Sequence, residues 1–182
     1  MDVMDAIQNR RSIRSFTDQP VADELLHQIL TAGTLAPSAG NMQAWEFLII
    51  KDQAAKRKLV DTTDAGRTAR GGVFTQEWIM QAPVVVVVCY DVKRMTGRYG
   101  SKGRNLMTIM DCMLCVENIS LAAVNFGLGT CCVVGFNPDQ LKMALPVPKE
   151  ITPLLLLPLG YPLEQPEPSY RLPLKDLIRL EL

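Results

Sequence analysis

The chain has 182 residues, 48% of them hydrophobic and 21% charged, a balance that folds around an apolar core and excludes a disordered chain. Lys+Arg and Asp+Glu each number 19, so the formal net charge is zero; this argues against a general nucleic-acid binder or an anionic-membrane binder and leaves room for a local basic cluster. One domain over residues 1–182 is expected, and a neutral chain this apolar suits a protein that hides part of its surface in an oligomer.

Residues 2–8 predict a short amphipathic helix with Val3, Met4 and Ile7 on one side, followed by a polar break at 9–15. Residues 22–33 predict a second helix whose stripe is Leu25, Leu26, Ile29 and Leu30. Residues 36–41 (Ala-Pro-Ser-Ala-Gly-Asn) are loop chemistry. A strand follows at 45–50, a helix at 53–60, a polar loop at 62–72 and a short helix at 77–81. The apolar, β-branched run 84–89 predicts a strand covered on both faces. Residues 91–104, basic and glycine-bearing, read as a mobile excursion. A long, nearly all-apolar helix over 105–126 belongs in a core or an oligomer interface, and Gly127-Leu128-Gly129 ends it. Strands at 130–134 and 154–159 and a helix at 139–145 complete the pattern, which lacks a strict strand–helix–strand rhythm and predicts an α+β fold.

The opening residues, 1–11, are polar and charged, unlike a signal peptide, and the longest apolar runs, 84–89 and 154–157, are far too short to span a bilayer. Of the five cysteines (Cys89, Cys112, Cys115, Cys131 and Cys132), four sit in or beside apolar stretches, as reduced thiols do in a cytoplasmic protein. Cys112 and Cys115 have C-x-x-C spacing inside an apolar helix with no second pair, and neighbours Cys131 and Cys132 face opposite ways in a strand, so no metal site is predicted. His27 is the lone histidine and falls on the polar side of its helix. That leaves no Ser-His-Asp or Cys-His machinery, and no Walker or G-x-G-x-x-G motif occurs. An enzyme of this composition takes its reactive atoms from a cofactor.

The densest polar feature is Arg10-Arg11-Ser12-Ile13-Arg14. Planar guanidinium forks match phosphate, and serine adds a rotatable donor, although five residues alone fit a solvated basic turn better. Ser38, Asn41 and Gln43 suit either contacts to a heteroaromatic ring edge or plain loop capping. Arg171 follows a proline-rich turn as either surface charge or a third contributor.

The order and spacing of these segments resemble the FMN-dependent nitroreductase family. The pattern R-[RH]-S-x-[RK]-x-F is met by Arg10, Arg11, Ser12, Arg14 and Phe16, and A-P-S-x-x-N-x-Q-P-W by Ala36, Pro37, Ser38, Asn41, Gln43 and Trp45. Ala82-Pro83-Val84, a long helix with Asp111 and Asn118, Gly127 to Thr130, Gly160-Tyr161-Pro162 and Arg171 continue it over nearly the whole chain. Ala44 stands where proline is common, and Val134 where some members are acidic.

The resemblance implies a central mixed sheet flanked by helices and an intertwined homodimer holding one FMN in each of two interfacial clefts. It places Arg10 and Ser12 at the FMN phosphate and ribityl chain, Arg171 at the phosphate, and Arg14 at the pyrimidine end of the ring. Arg11 joins this set through the same motif. Pro37, Ser38, Ala39 and Asn41 would come from the partner subunit, and the backbone of Val134 and Gly135 would lie beside flavin N5. Arg67 or Arg70 would approach the ring from the central loop. The implied reaction is ping-pong hydride transfer from NADH or NADPH to a nitroaromatic, quinone or other electron-poor acceptor, with no catalytic residue beyond the electrostatic role of Arg14. The resemblance equally admits a specialised dehalogenase or flavin-destructase type, or a non-catalytic FMN-binding protein.

Overall fold

A computed structural model describes residues 1–65 and 74–180. Four antiparallel strands form its sheet, in the order β1-β2-β4-β3: β1 Trp45–Ile50, β2 Val84–Asp91, β3 Gly129–Thr130 and β4 Ile151–Gly160. The sheet expected to be mixed therefore has no parallel pair among these strands. The parallel contact is an isolated bridge, Ser12 to Thr130. Pleating sends alternate β2 residues to opposite faces. Val84, Val86 and Val88 join a core with Leu26, Ile29, Val116 and Ile119, whereas Val85, Val87 and Cys89 join a second core with Leu59, Ile79, Leu141 and Leu156. Two helical layers thus explain why an antiparallel strand reads as an unbroken apolar run.

The first layer is α2 (Asp23–Thr34), which buries Leu26, Ile29, Leu30 and Gly33, together with α5 (Thr108–Asn125). The second contains α3 (Gln53–Val60), a 3-10 turn at Glu77–Gln81 and α6 (Pro138–Ala144). In that layer Lys56 is buried and donates from Nζ to the Ala82 carbonyl at 2.9 Å, tying α3 to the entrance of β2; burial pushes its pKa down. The amino-terminal helix α1 (Val3–Asn9) starts at a reciprocal cap, with Asp5 N donating to Asp2 Oδ1 at 2.8 Å and Asp2 N to Asp5 Oδ2 at 3.3 Å.

Residues 91–104 are not an irregular excursion. Asp91 caps α4 (Val92–Lys102) by accepting from Lys93 N at 2.8 Å, Met95 is fully buried, and Arg94 donates to the Gln43 carbonyl at 2.7 Å. The helix breaks at Gly100 and continues through a π-helical turn, Gly103–Met107, into α5. By length and composition α5 would also suit a membrane span, yet one side of it is buried against α2 and β2. Its other side leaves Ile109, Met110, Met113 and Leu114 39–57% exposed, beside α1 with Val3, Met4 and Ile7 at 48–70%.

Strand β3 is shorter than the expected 130–134: pairing stops at Thr130 and returns only at the Val133–Leu156 bridge. Strand β4 is longer than expected, and a register shift at Val88/Cys89 accommodates its proline-bearing start, Thr152-Pro153-Leu154. Beyond residue 163 the chain is largely exposed and includes one four-residue helix, α7 (Leu174–Leu177).

Two measurements follow from this packing. A Cβ added at Gly129 would stand 2.9 Å from Ile13 Cβ. Gly129→Ala should cost about 1–3 kcal/mol, lowering Tm by roughly 2–4 °C per kcal/mol in a thermal melt. The second concerns Cys89, Cys112 and Cys115, whose thiols are pushed from an ordinary 9.0 up to about 12, chiefly by burial. Between these values the unfolded chain loses protons that the folded one keeps, so stability is full below pH 9 and falls as pH rises toward about 12. Urea midpoints across that range should decline, and less steeply in Cys112→Ala.

Candidate cofactor-binding site

The 10–17 segment has no helix or strand of its own, and its shape comes from what it leans on. Ile13 and Phe16 are buried, Ile13 against Gly129 and Phe16 stacked 6.5 Å from Trp78. The Ile13 amide donates to the Thr130 carbonyl at 3.0 Å and the Thr17 amide to the Tyr161 carbonyl at 2.9 Å. Returning chain closes the other side: the Leu163 amide donates to the Ser15 carbonyl at 3.0 Å, and Glu164 Oε1 accepts from the Arg14 and Ser15 amides at 2.6 and 3.0 Å. With Ile13 and Phe16 turned inward, Arg10, Ser12 and Arg14 face a cleft of about 410 Å³.

Arg11 and Arg171 line the same cleft, with Ile7, Gln8 and residues 166–169. The structure thus gathers Arg10, Arg11, Ser12, Arg14 and Arg171, which the sequence separates by up to 161 positions. Their guanidinium groups are differently committed. Arg11 donates to the carbonyls of Gln8 at 2.6 Å, Arg10 at 2.9 Å and Pro166 at 3.2 Å, so it fastens the carboxy-terminal strap to the end of α1. Arg10 Nε lies 3.6 Å from Glu117 on α5. Arg171 is exposed and, among the described residues, donates to the nearby carbonyls of Ser169 and Tyr170. The Arg14 side chain is exposed and has no hydrogen-bond or ion-pair partner among the described residues. Burial pushes the Cys131 thiol up, while Arg14, Ser12 and Arg10 pull it down, which registers how close these groups lie to the start of the 131–135 segment.

The second predicted group builds a separate surface. Gly40, Asn41 and Gln43 all have left-handed backbones (φ 57°, 57° and 49°), a conformation that glycine and asparagine accept more readily than other residues. Ser38 Oγ accepts from the Gln43 amide at 3.0 Å, and Asp111 Oδ2 accepts from the Ala39 amide at 3.0 Å. Burial raises the Asp111 pKa and the Ala39 amide opposes it. Pro37, Ser38 and Ala39 then line an apolar cavity of about 240 Å³ with Met107, Met110, Asp111 and Leu114. Asn41 is exposed at the edge of this turn.

Val134 and Gly135 line neither cavity. Val134 is 70% exposed, and Gly135 accepts at its carbonyl from Asp64 N at 2.7 Å and Gln76 Nε2 at 3.4 Å. Neither amide of the pair donates to another group among the described residues. Arg67 and Arg70 lie outside the described residues, and His27 is exposed on α2. Glu117 and Glu164, which help set the geometry of the arginine turn, carried no sequence signal: Glu117 acts through one ion pair and Glu164 through two main-chain hydrogen bonds to a distant segment.

The guanidinium groups of Arg10, Arg14 and Arg171, with the Ser12 hydroxyl in the same lining, form a donor set that suits a phosphate monoester. Comparison with known proteins agrees in kind. Residues 7–161 match the sequence profile of the Nitroreductase family. An FMN reductase [NAD(P)H] of Bacillus subtilis is 33% identical, over 94% of this chain and 70% of that protein. An oxygen-insensitive NADPH nitroreductase of Salmonella typhimurium is 31% identical, over 90% and 67%. Among solved structures, a protein from Exiguobacterium sibiricum crystallised in complex with FMN superposes with a TM-score of 0.82 at 25% identity, covering 100% of this chain and 98% of that one. The chain belongs to the nitroreductase family.

Proposed function

We propose that the chain is an NAD(P)H-dependent FMN oxidoreductase that delivers electrons to small electron-poor acceptors such as nitroaromatics and quinones. The observation that carries this reading is the single cleft shared by Arg10, Ser12, Arg14 and Arg171 in a chain whose relatives are NAD(P)H-dependent reductases. Residues 1–182 act as one FMN-binding domain in the cytoplasm. Bound FMN supplies the redox chemistry, because the sequence offers no Ser-His-Asp or Cys-His machinery.

The roles of the chain's residues follow from their commitments. Arg10 and Ser12, held by Glu117 and by the Thr130 bridge, bind the phosphate and ribityl hydroxyls, with Arg171 closing over the phosphate. Arg14, whose side chain pairs with no carboxylate among the described residues, holds positive charge at the pyrimidine end of the ring, which favours negative charge there. Arg11 is a positioning residue, since its Nε and Nη1 donate to three carbonyls. The Val134 and Gly135 amides, which donate to no other group among the described residues, are the donors offered to the ring edge at N5.

Residues 37–41 face a different cavity from the arginine cleft, so one chain offers two half-sites. The proposed assembly is an intertwined homodimer in which Pro37, Ser38, Ala39 and Asn41 of each subunit complete the flavin cleft of the other. It would cover the exposed apolar sides of α1 and α5 and the arm bearing Leu172, Leu174 and Leu177, all 57–71% exposed in that arm.

The purified protein should be yellow, titrate with FMN to one per subunit, and run at about twice its 20.2 kDa mass in light scattering; a colourless protein that takes up no FMN overturns the reading. Within the cleft, Arg10→Ala should raise the FMN Kd by roughly tenfold or more, the weight of a hydrogen bond to a charged group. Arg14→Ala should slow flavin reduction in stopped-flow more than it weakens FMN binding, and the reverse order would undo the division of labour between the two arginines.

A further inference from the structure

Between Asp91 and Asp111 the chain carries Lys93, Arg94, Arg98, Lys102 and Arg104 and no acid, although charges cancel over the whole protein. Arg94 is neutralised internally: it donates to the Gln43 carbonyl at 2.7 Å and pairs with Glu46 and, at 3.6 Å, with Asp91. It thereby pins α4 across the loop that contains Gln43. One helical turn further on, Arg98 is exposed and has neither a hydrogen bond nor an ion pair among the described residues. Its Cζ lies 5.5 Å from the Tyr99 ring centroid.

The position of this free cation is specific. A Cβ built on Gly40 would stand 2.9 Å from Arg98 Nη1 and 3.0 Å from its Cζ, so the guanidinium rests on the left-handed turn at Gly40. The preceding residue, Ala39, lines the apolar cavity that Pro37, Met107, Met110 and Leu114 also border. A guanidinium therefore stands beside an apolar recess, and a ligand matching the pair has a flat, weakly polar ring at one end and an anionic group behind it. Nicotinamide dinucleotides have that layout, with a pyrophosphate and, in NADPH, a 2′-phosphate as well.

We infer that Arg98 recognises a phosphate of the dinucleotide electron donor beside residues 37–41, making it a specificity-determining residue for that donor. The inference rests on the reading above, that these residues border the flavin cleft. A planar guanidinium engages phosphate through two parallel charge-assisted hydrogen bonds, which an ammonium reproduces only as a point charge. Because the side chain is exposed, the contact weakens as ionic strength rises.

The test uses the FMN-loaded protein and compares wild type, Arg98→Lys and Arg98→Glu with NADPH, NADH and reduced nicotinamide mononucleotide as donors and menadione as acceptor. The mononucleotide has one phosphate close to the ring and lacks the pyrophosphate. Arg98→Glu should lower kcat/KM for NADPH about tenfold or more beyond any loss with the mononucleotide, mainly through KM, and Arg98→Lys should keep most of the activity. A loss confined to NADPH assigns the 2′-phosphate; an equal loss with NADH and NADPH assigns the pyrophosphate. Titrating NADP+ onto the FMN-loaded protein reads the same contact without turnover, and its Kd should weaken by a similar factor in Arg98→Glu. Unchanged kinetics and NADP+ binding, or an equal loss with all three donors, overturns the inference while leaving the flavin reading intact. A chain that takes up no FMN, or takes it up and oxidises neither dinucleotide, overturns both.

Discussion

The candidate site depends on a side chain that never faces it. Ile13 is driven into the space left by Gly129, and its amide is bonded to the Thr130 carbonyl at 3.0 Å, so the residues on either side of it have no choice of direction. The 10–17 segment forms no regular element that would otherwise hold it in shape. A loop with three arginines repels itself, and its electrostatics would splay it into solvent. Burial of Ile13 and Phe16, worth about 1.5–3 kcal/mol for each large apolar side chain, holds the cationic groups together. The same constraint links cofactor site and core: whatever moves Gly129 moves Ser12 and Arg14.

Holding like charges together also requires local compensation, and the cleft supplies it unevenly. Glu164 accepts from backbone amides of Arg14 and Ser15, so its negative charge steadies the turn without reaching the Arg14 guanidinium. Glu117 does face a guanidinium, that of Arg10, at 3.6 Å, with the carboxylate 56% exposed, which is a weak surface pair that a phosphate can outcompete. Arg11 differs, since three carbonyls occupy its fork. Adjacent arginines of one motif therefore serve different ends, one facing the cleft and one tying down its wall. Charge counting alone cannot separate them; the hydrogen-bond partners do.

Much of the fold was legible because periodicity reports burial. Strand β1, helix α3 and the turn at Glu77–Gln81 have the bounds the pattern gives, since each is framed by proline, aspartate or polar breaks. Segment 91–104 was misread because its helix is stabilised by Asp91, Met95 and Arg94 acting across the chain, while its glycines and charges look like loop. The 130–134 strand was overextended: β-branched residues favour extension, yet without a neighbour to pair with, Cys131 and Cys132 lie outside the ladder. The sheet's antiparallel sense was likewise invisible, because a run buried on both faces is the usual mark of parallel strands. For the site, the family resemblance grouped the arginine cluster with Arg171, and the structure puts them in one cleft. Glu164 could not be found that way, as a carboxylate bonded to main-chain amides 150 positions away leaves no pattern in side-chain types.

Helix α5 explains how the two proposed half-sites on one chain would keep a fixed relation. Asp111 holds the Ala39 amide and Glu117 pairs with Arg10, six positions apart on one helix, a rise of about 9 Å. Both polar anchors belong to a helix whose buried side, with Cys112, Cys115, Val116 and Ile119, is locked into the core. The helix cannot shift one anchor without the other, so it acts as a rigid spacer between the arginine cleft and the 37–41 loop. Its outward side is apolar where it lies between these anchors, at Met113 and Leu114. In the proposed homodimer that apolar strip is the natural contact, because the surface that needs covering and the spacing that sets the two half-sites are properties of the same turns of α5. Partner recognition and cofactor geometry would then be fixed by one element, and a substitution on its outer side would act on both.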